Sequence, residues 1–162
     1  NLTEKEFIDI TEFRQAIETK AISIIAQKRE MVDLSRVEVA YLAMKEAAKE
    51  GNEEEYSLQD YTFHISILIA SGNELFIQIA NIFKSQYYNY FKELNKFIFS
   101  KSNGNSKAVF DPDDEADAHT VLYEYLCKGD KSRAEEAANA IFSDNKNRFM
   151  SYLREKEQTK QM

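Results

Sequence analysis

Tyr61-Thr62-Phe63-His64-Ile65-Ser66-Ile67-Leu68-Ile69-Ala70 is the stretch that decides the fold of this 162-residue chain. A helix-start signal precedes it at Asn52 or Ser57, a stop follows at Ser71-Gly72-Asn73, and between them the segment is apolar on nearly every helical face. A helix that is apolar all round must be surrounded by other elements. At ten residues it is also far short of the ~18 that a membrane span needs. Four Gly and one Pro in the whole chain leave too few turn formers for a β-sandwich or barrel. The reading is an all-α bundle with this segment at its centre.

Working outward, Thr3-Glu4-Lys5-Glu6 is a capping box, in which the Thr hydroxyl and the Glu carboxylate each satisfy an orphan backbone amide. Phe7, Ile10, Phe13, Ile17, Ala21, Ile24 and Ile25 then recur every three or four residues. They predict a first helix to about Lys28, with Thr11 as its candidate break. Asp33 or Ser35 opens a second helix that stops at Gly51. Asn73 caps a long fourth helix running to about Ser100, and Asp111-Pro112 starts a fifth that ends at Lys128-Gly129, because Pro at the first helical position sacrifices no hydrogen bond. Asp130 caps a sixth, which continues to about Glu157. About six helices, more than 70% of the chain and no sheet are therefore expected within one domain spanning residues 1–162.

A net charge of −7 has the wrong sign for a surface that releases counterions from nucleic acid. The lone Cys127 excludes an internal disulfide, and a thiol near a helix C-terminus is poorly activated as a nucleophile. With neither a membrane span nor a signal peptide in view, a cytoplasmic location fits best. The chain begins at Asn1 without an initiator Met, so a segment cut from a longer polypeptide is expected.

Few residues can carry chemistry. Asp60 and His64 stand four apart on the apolar third helix and therefore stack on one face. They read either as a first-turn carboxylate pairing with a satisfied core histidine, or as half of a ligand set. His119 shares an inward stripe with Leu122, Tyr123 and Leu126. If the third and fifth helices face each other, Asp60, His64 and His119 form an O,N,N set suited to Zn, Ni, Mn or Fe, with coordination positions left open. Arg14 could receive a carboxylate bidentately, or pair with Glu18 four residues on. Tyr87 belongs to an aromatic belt with Tyr88, Tyr90, Phe91 and Phe97, suited to a core or to a cavity with a polar guest. The sequence contains no Glu-x-x-His, His-Asp, His-Glu-x-x-His, phosphate loop or Gly-x-Ser-x-Gly, so no catalytic agent is evident.

Taken together, Glu12-Phe13-Arg14-Gln15-Ala16-Ile17-Glu18, Asp60-Tyr61-Thr62-Phe63-His64 leading to Ala70-Ser71-Gly72-Asn73, then Ala118-His119, Gly129-Asp130 and the alanine-rich 134–140 run resemble the FCD domain. This is the C-terminal effector-binding and dimerisation domain of FadR-type GntR transcription regulators. The resemblance implies an antiparallel bundle around a ligand cavity and, in many members, a metal (Zn or Ni) held by one Asp and three His. Asp60, His64 and His119 match the first three ligands. Counting on from His119 places the fourth at Ile141, which cannot coordinate. Three protein ligands completed by water or effector oxygens, help from Asn145 one turn along, or a metal-free acyl-binding site remain open. The resemblance further implies a non-enzymatic sensor, a small carboxylate effector contacting the metal or Arg14 and cavity tyrosines such as Tyr87, and a homodimer. DNA would be contacted only by a winged helix-turn-helix upstream of Asn1. A metal-dependent hydrolase and a purely structural dimerisation module are the competing readings.

Overall fold

The central segment sets the architecture, since none of residues 61–70 is exposed in the computed structural model, which describes residues 2–161. Around it the described residues form seven α-helices: α1 Glu4–Gln27, α2 Ser35–Glu50, α3 Glu53–Ala70, α4 Glu74–Ile82, α5 Lys84–Lys101, α6 Ala118–Lys128 and α7 Lys131–Lys160. Helix accounts for 82% of the chain, with no strand among the described residues. α3 packs against α1, α2, α4 and α5, while α7 closes the bundle against α1, α5 and α6. Among the described residues no helix is long and apolar enough to cross a membrane.

Local chemistry explains most boundaries. Thr3 Oγ1 accepts from the Glu6 amide at 3.1 Å, as the capping box requires. Thr11 does not break α1, because its hydroxyl bonds across the core to the Tyr90 hydroxyl at 3.2 Å instead of to its own backbone. Asn52 rather than Ser57 caps α3, accepting from the Glu55 amide at 3.1 Å. Ser57 lies inside the helix and is buried. α2 starts at Ser35, with Asp33 accepting from the Ser35 amide at 2.9 Å.

Two expectations need correction. The long fourth helix is two helices, interrupted at Phe83 (φ −99°, ψ 20°). No Gly or Pro marks the break. The bend turns Tyr87, Tyr90, Phe91, Leu94 and Asn95 of α5 into the core while α4 stays at the rim, where Ala80 is its one buried side chain. The fifth predicted helix does not begin at Asp111-Pro112. Asp111 accepts from the Asp113 amide at 3.0 Å and Asp114 from the Ala116 amide at 2.9 Å, so successive aspartate turns outcompete the helix. Asp117 then caps α6 by accepting from the His119 amide at 3.0 Å.

At the α6–α7 corner Gly129 adopts φ 69°, and a Cβ there would stand 3.0 Å from Cβ of Arg29. That arginine locks the corner to the α1–α2 connection, donating to the Cys127 carbonyl at 2.8 Å and the Val32 carbonyl at 2.9 Å. The α6 register that carries His119 into the bundle is thereby fixed.

Candidate metal centre

α3 presents Asp60 and His64 one turn apart on its inward face, and the first turn of α6 brings His119 against them. Asp60 Oδ1 lies 3.4 Å from His64 Nε2 and 3.6 Å from His119 Nε2. The three donor atoms fall within 4.8 Å of one another. All three residues are buried, and none of these atoms has a hydrogen-bond partner. An unsatisfied buried polar atom costs about 1–3 kcal/mol, more for a charged group. Three that converge on one point make a socket whose cost a shared cation would relieve.

The other ends of the ligands are held. Asn95 Nδ2 donates to Asp60 Oδ2 at 3.0 Å, which leaves Oδ1 for the socket. Glu18 Oε1 stands 2.5 Å from His64 Nδ1, and Asp117 Oδ1 is 3.5 Å from His119 Nδ1. Such carboxylate–histidine pairs orient imidazoles toward metals. Glu18 Oε2 in turn accepts from Arg14 Nε at 2.7 Å and from the Tyr87 hydroxyl.

Without an ion the buried charges of the socket compensate one another, and a metal would have to displace the proton on His119. Burial disfavours the Glu18 carboxylate, yet Arg14 and His64 outweigh it and hold the pKa at about 2. Burial likewise opposes ionisation of Asp60, but the adjoining imidazoles of His119 and His64 keep its carboxyl well below the usual range. For His119 burial opposes the charged ring, and the carboxylates of Asp117 and Asp60 overcome it, raising the pKa to about 9. Burial and the Glu18 charge push the Tyr87 phenol well above its ordinary value, so it remains a donor.

A cavity of about 400 Å³ opens over the socket, lined among others by Asp60, Asn95, His119, Ile141, Asn145 and Arg148. This volume is in the range of small-molecule sites. Asp60 and His119 therefore face the cavity, with His64 completing the cluster. Asn145 reaches the cavity as its spacing suggested, and Ile141 contributes an aliphatic wall without a donor atom. Arg14 and Tyr87 do not line it. The Arg14 guanidinium is fully buried, 4.5 Å from the Phe91 ring centroid and 5.0 Å from that of Phe142. Its partner is Glu18, the alternative that their four-residue spacing allowed.

Glu18, Asn95 and Asp117 escaped the sequence reading as parts of the site. Glu18 was visible as a pairing partner for Arg14, and Asp117 two residues before His119 was masked by the aspartate-rich 111–117 run. Asn95 carries no local signal.

The chain is 26% identical over 156 residues to the HTH-type transcriptional regulator LutR of Bacillus subtilis (strain 168), a match covering 95% of this chain and 67% of that protein. Residues 9–144 match the FCD domain, and this stretch contains α2 through α6 whole together with every residue of the socket. The chain belongs to the FCD-domain family.

Proposed function

We propose that this chain is the ligand-sensing regulatory domain of a GntR/FadR-type transcription regulator, and that it binds a small carboxylate effector through a divalent metal, Zn or Ni, held by Asp60, His64 and His119. The observation that carries the reading is the convergence of three buried, unpartnered donor atoms beneath a cavity. Two imidazoles and a carboxylate form a donor set that suits either metal. The bound metal would supply a Lewis-acid contact for an effector oxygen. Ile141 leaves coordination positions for water or effector, and Asn145 offers an amide to a polar substituent. Arg14 and Tyr87 serve the site from behind, by holding Glu18. The volume favours a small organic acid over a long acyl chain, which weighs against the metal-free acyl-binding alternative.

The domain acts by binding and not by turnover. An effector that prefers one packing of α3 against α6 shifts the population of that packing, by no more than its difference in affinity for the two. In a cytoplasmic homodimer, that packing would set the spacing of two upstream DNA-binding domains across paired half-sites. Likeness to an HTH-type regulator supports this assignment.

Elemental analysis after dialysis, paired with calorimetric titration of a panel of mono- and dicarboxylates, tests the reading on wild type, His64→Ala and His119→Ala. Metal near one per wild-type chain, with metal and carboxylate affinity lost together in both variants, is the expected result. A metal-free wild type that binds carboxylates with affinity unchanged in the variants would refute it.

A further inference from the structure

Glu18 is a buried acid on α1 engaged by three helices. Its Oε2 accepts from Arg14 of α1 and from Tyr87 of α5, while Oε1 meets His64 of α3. We propose that Glu18 is a positioning residue that sets the tautomer of His64, placing the ring proton on Nδ1 and leaving the Nε2 lone pair turned toward Asp60 and His119.

For the neutral ring the geometry admits one assignment. An ionised carboxylate only accepts hydrogen bonds, and at 2.5 Å from Nδ1 it would repel a nitrogen lone pair, so Nδ1 carries the proton. Arg14 Nη2 is also 3.2 Å from Nδ1, but a protonated Nδ1 cannot accept from it. The shorter, charge-assisted bond to Glu18 prevails. Nε2 then faces Asp60 Oδ1 at 3.4 Å as acceptor against acceptor, in keeping with both atoms being without partners. With the proton on Nε2, His64 would instead donate to Asp60 and close the socket. Glu18 thus keeps the socket open at some cost to the metal-free fold.

The Glu18→Gln variant reverses this logic at almost constant shape. Arg14 Nε and the Tyr87 hydroxyl both donate toward Oε2, so the carbonyl of a substituted glutamine is claimed there and its NH₂ is turned to His64. Nδ1 must then accept, and the ring proton moves to Nε2. Tyr90→Phe is the control, since it removes a buried hydroxyl that meets Thr11 and leaves every bond to Glu18 and His64 intact.

Two readouts test the proposal. The first is the long-range ¹H–¹⁵N spectrum of neutral His64 in the metal-free domain, which separates protonated from unprotonated ring nitrogens. The second is Zn²⁺ affinity by competition with a chromogenic chelator. Expected are an Nδ1–H tautomer in wild type and Tyr90→Phe, an Nε2–H tautomer in Glu18→Gln, and a fall in Zn²⁺ affinity of about 10–100-fold confined to Glu18→Gln, the usual effect of removing a residue that orients a metal ligand. An Nε2–H tautomer in wild type overturns the proposal even if Glu18→Gln fails to fold. So does Glu18→Gln with an unmoved proton and wild-type Zn²⁺ affinity, or an equal loss of affinity in Tyr90→Phe. The affinity arm rests on the metal reading of the socket. A wild type that takes up no Zn²⁺ sinks that reading alone, because the tautomer is still decided in the metal-free protein.

Discussion

The Arg14–Glu18 pair yields a stability prediction with a definite size. Arg14 is fully buried, and its guanidinium rests against the rings of Phe91, Phe142 and Tyr90 at 4.5, 5.0 and 5.1 Å from their centroids. In Arg14→Met the apolar packing is largely retained, but the Glu18 carboxylate loses the 2.7 Å charge-assisted bond and keeps only His64 and Tyr87. Removing one partner of a buried ion pair costs about 3–5 kcal/mol, because the remaining charge stays in a poorly solvating interior. At roughly 2–4 °C per kcal/mol for a domain of this size, melting should fall by about 6–20 °C. Urea unfolding should show a lower midpoint at unchanged slope if the loss is one of stability alone. Adding Glu18→Gln neutralises the stranded charge, so the double variant should be less destabilised than the sum of the single variants by at least about 2 kcal/mol, within the range that contacting residues show in such cycles. A loss below about 1 kcal/mol in Arg14→Met, typical of solvent-exposed pairs, would refute the view that this pair is desolvated and structurally essential.

Other expectations are more local. Ile141→His should tighten metal binding, since a fourth protein ligand would replace exchangeable water; chelator competition that shows weaker or unchanged binding in a folded variant would place α7 too far from the socket. Gly129→Ala should lower stability by more than about 1 kcal/mol, because the left-handed backbone disfavours a Cβ that would meet Arg29 at 3.0 Å; a neutral effect in urea melts would show that this corner relaxes freely. With a net charge of −7, the chain alone should show no salt-dependent DNA complex in fluorescence anisotropy at physiological salt, whereas light scattering should report a dimer.

How much of this was legible in advance depends on whether the signal is local. The all-round apolarity of residues 61–70 requires a surrounded helix whatever the neighbours are, and the structure leaves none of those ten exposed. The caps at Thr3, Asn52, Asn73 and Asp130 are equally local, each set by one side-chain oxygen and an amide two or three residues on. The break at Phe83 is different. Its helical pattern continues unbroken through residues 76–91, and the bend answers to what α5 must pack against, a tertiary demand with no residue type to announce it. Asp111-Pro112 failed for the opposite reason, since a strong local signal met a stronger one in the aspartate turns that follow.

The socket divides along the same line. Asp60 and His64 share a face by helical periodicity, so their proximity followed from spacing, while the approach of His119 depended on which helices face each other. Orientation of the ligands lay further out of reach, because Glu18 meets His64 across 46 positions of sequence and Asn95 meets Asp60 across 35. A carboxylate can appear in the sequence as a mere ion-pair partner and still decide, through one proton on a distant imidazole, whether a cluster of donors is open to a metal. The residues with the donor atoms for an ion are therefore easier to read from sequence than those that orient them. For this fold the second group is Glu18 on α1, Asn95 on α5 and Asp117 at the start of α6, so a packing change in any of these three helices would bear on the orientation of the ligands.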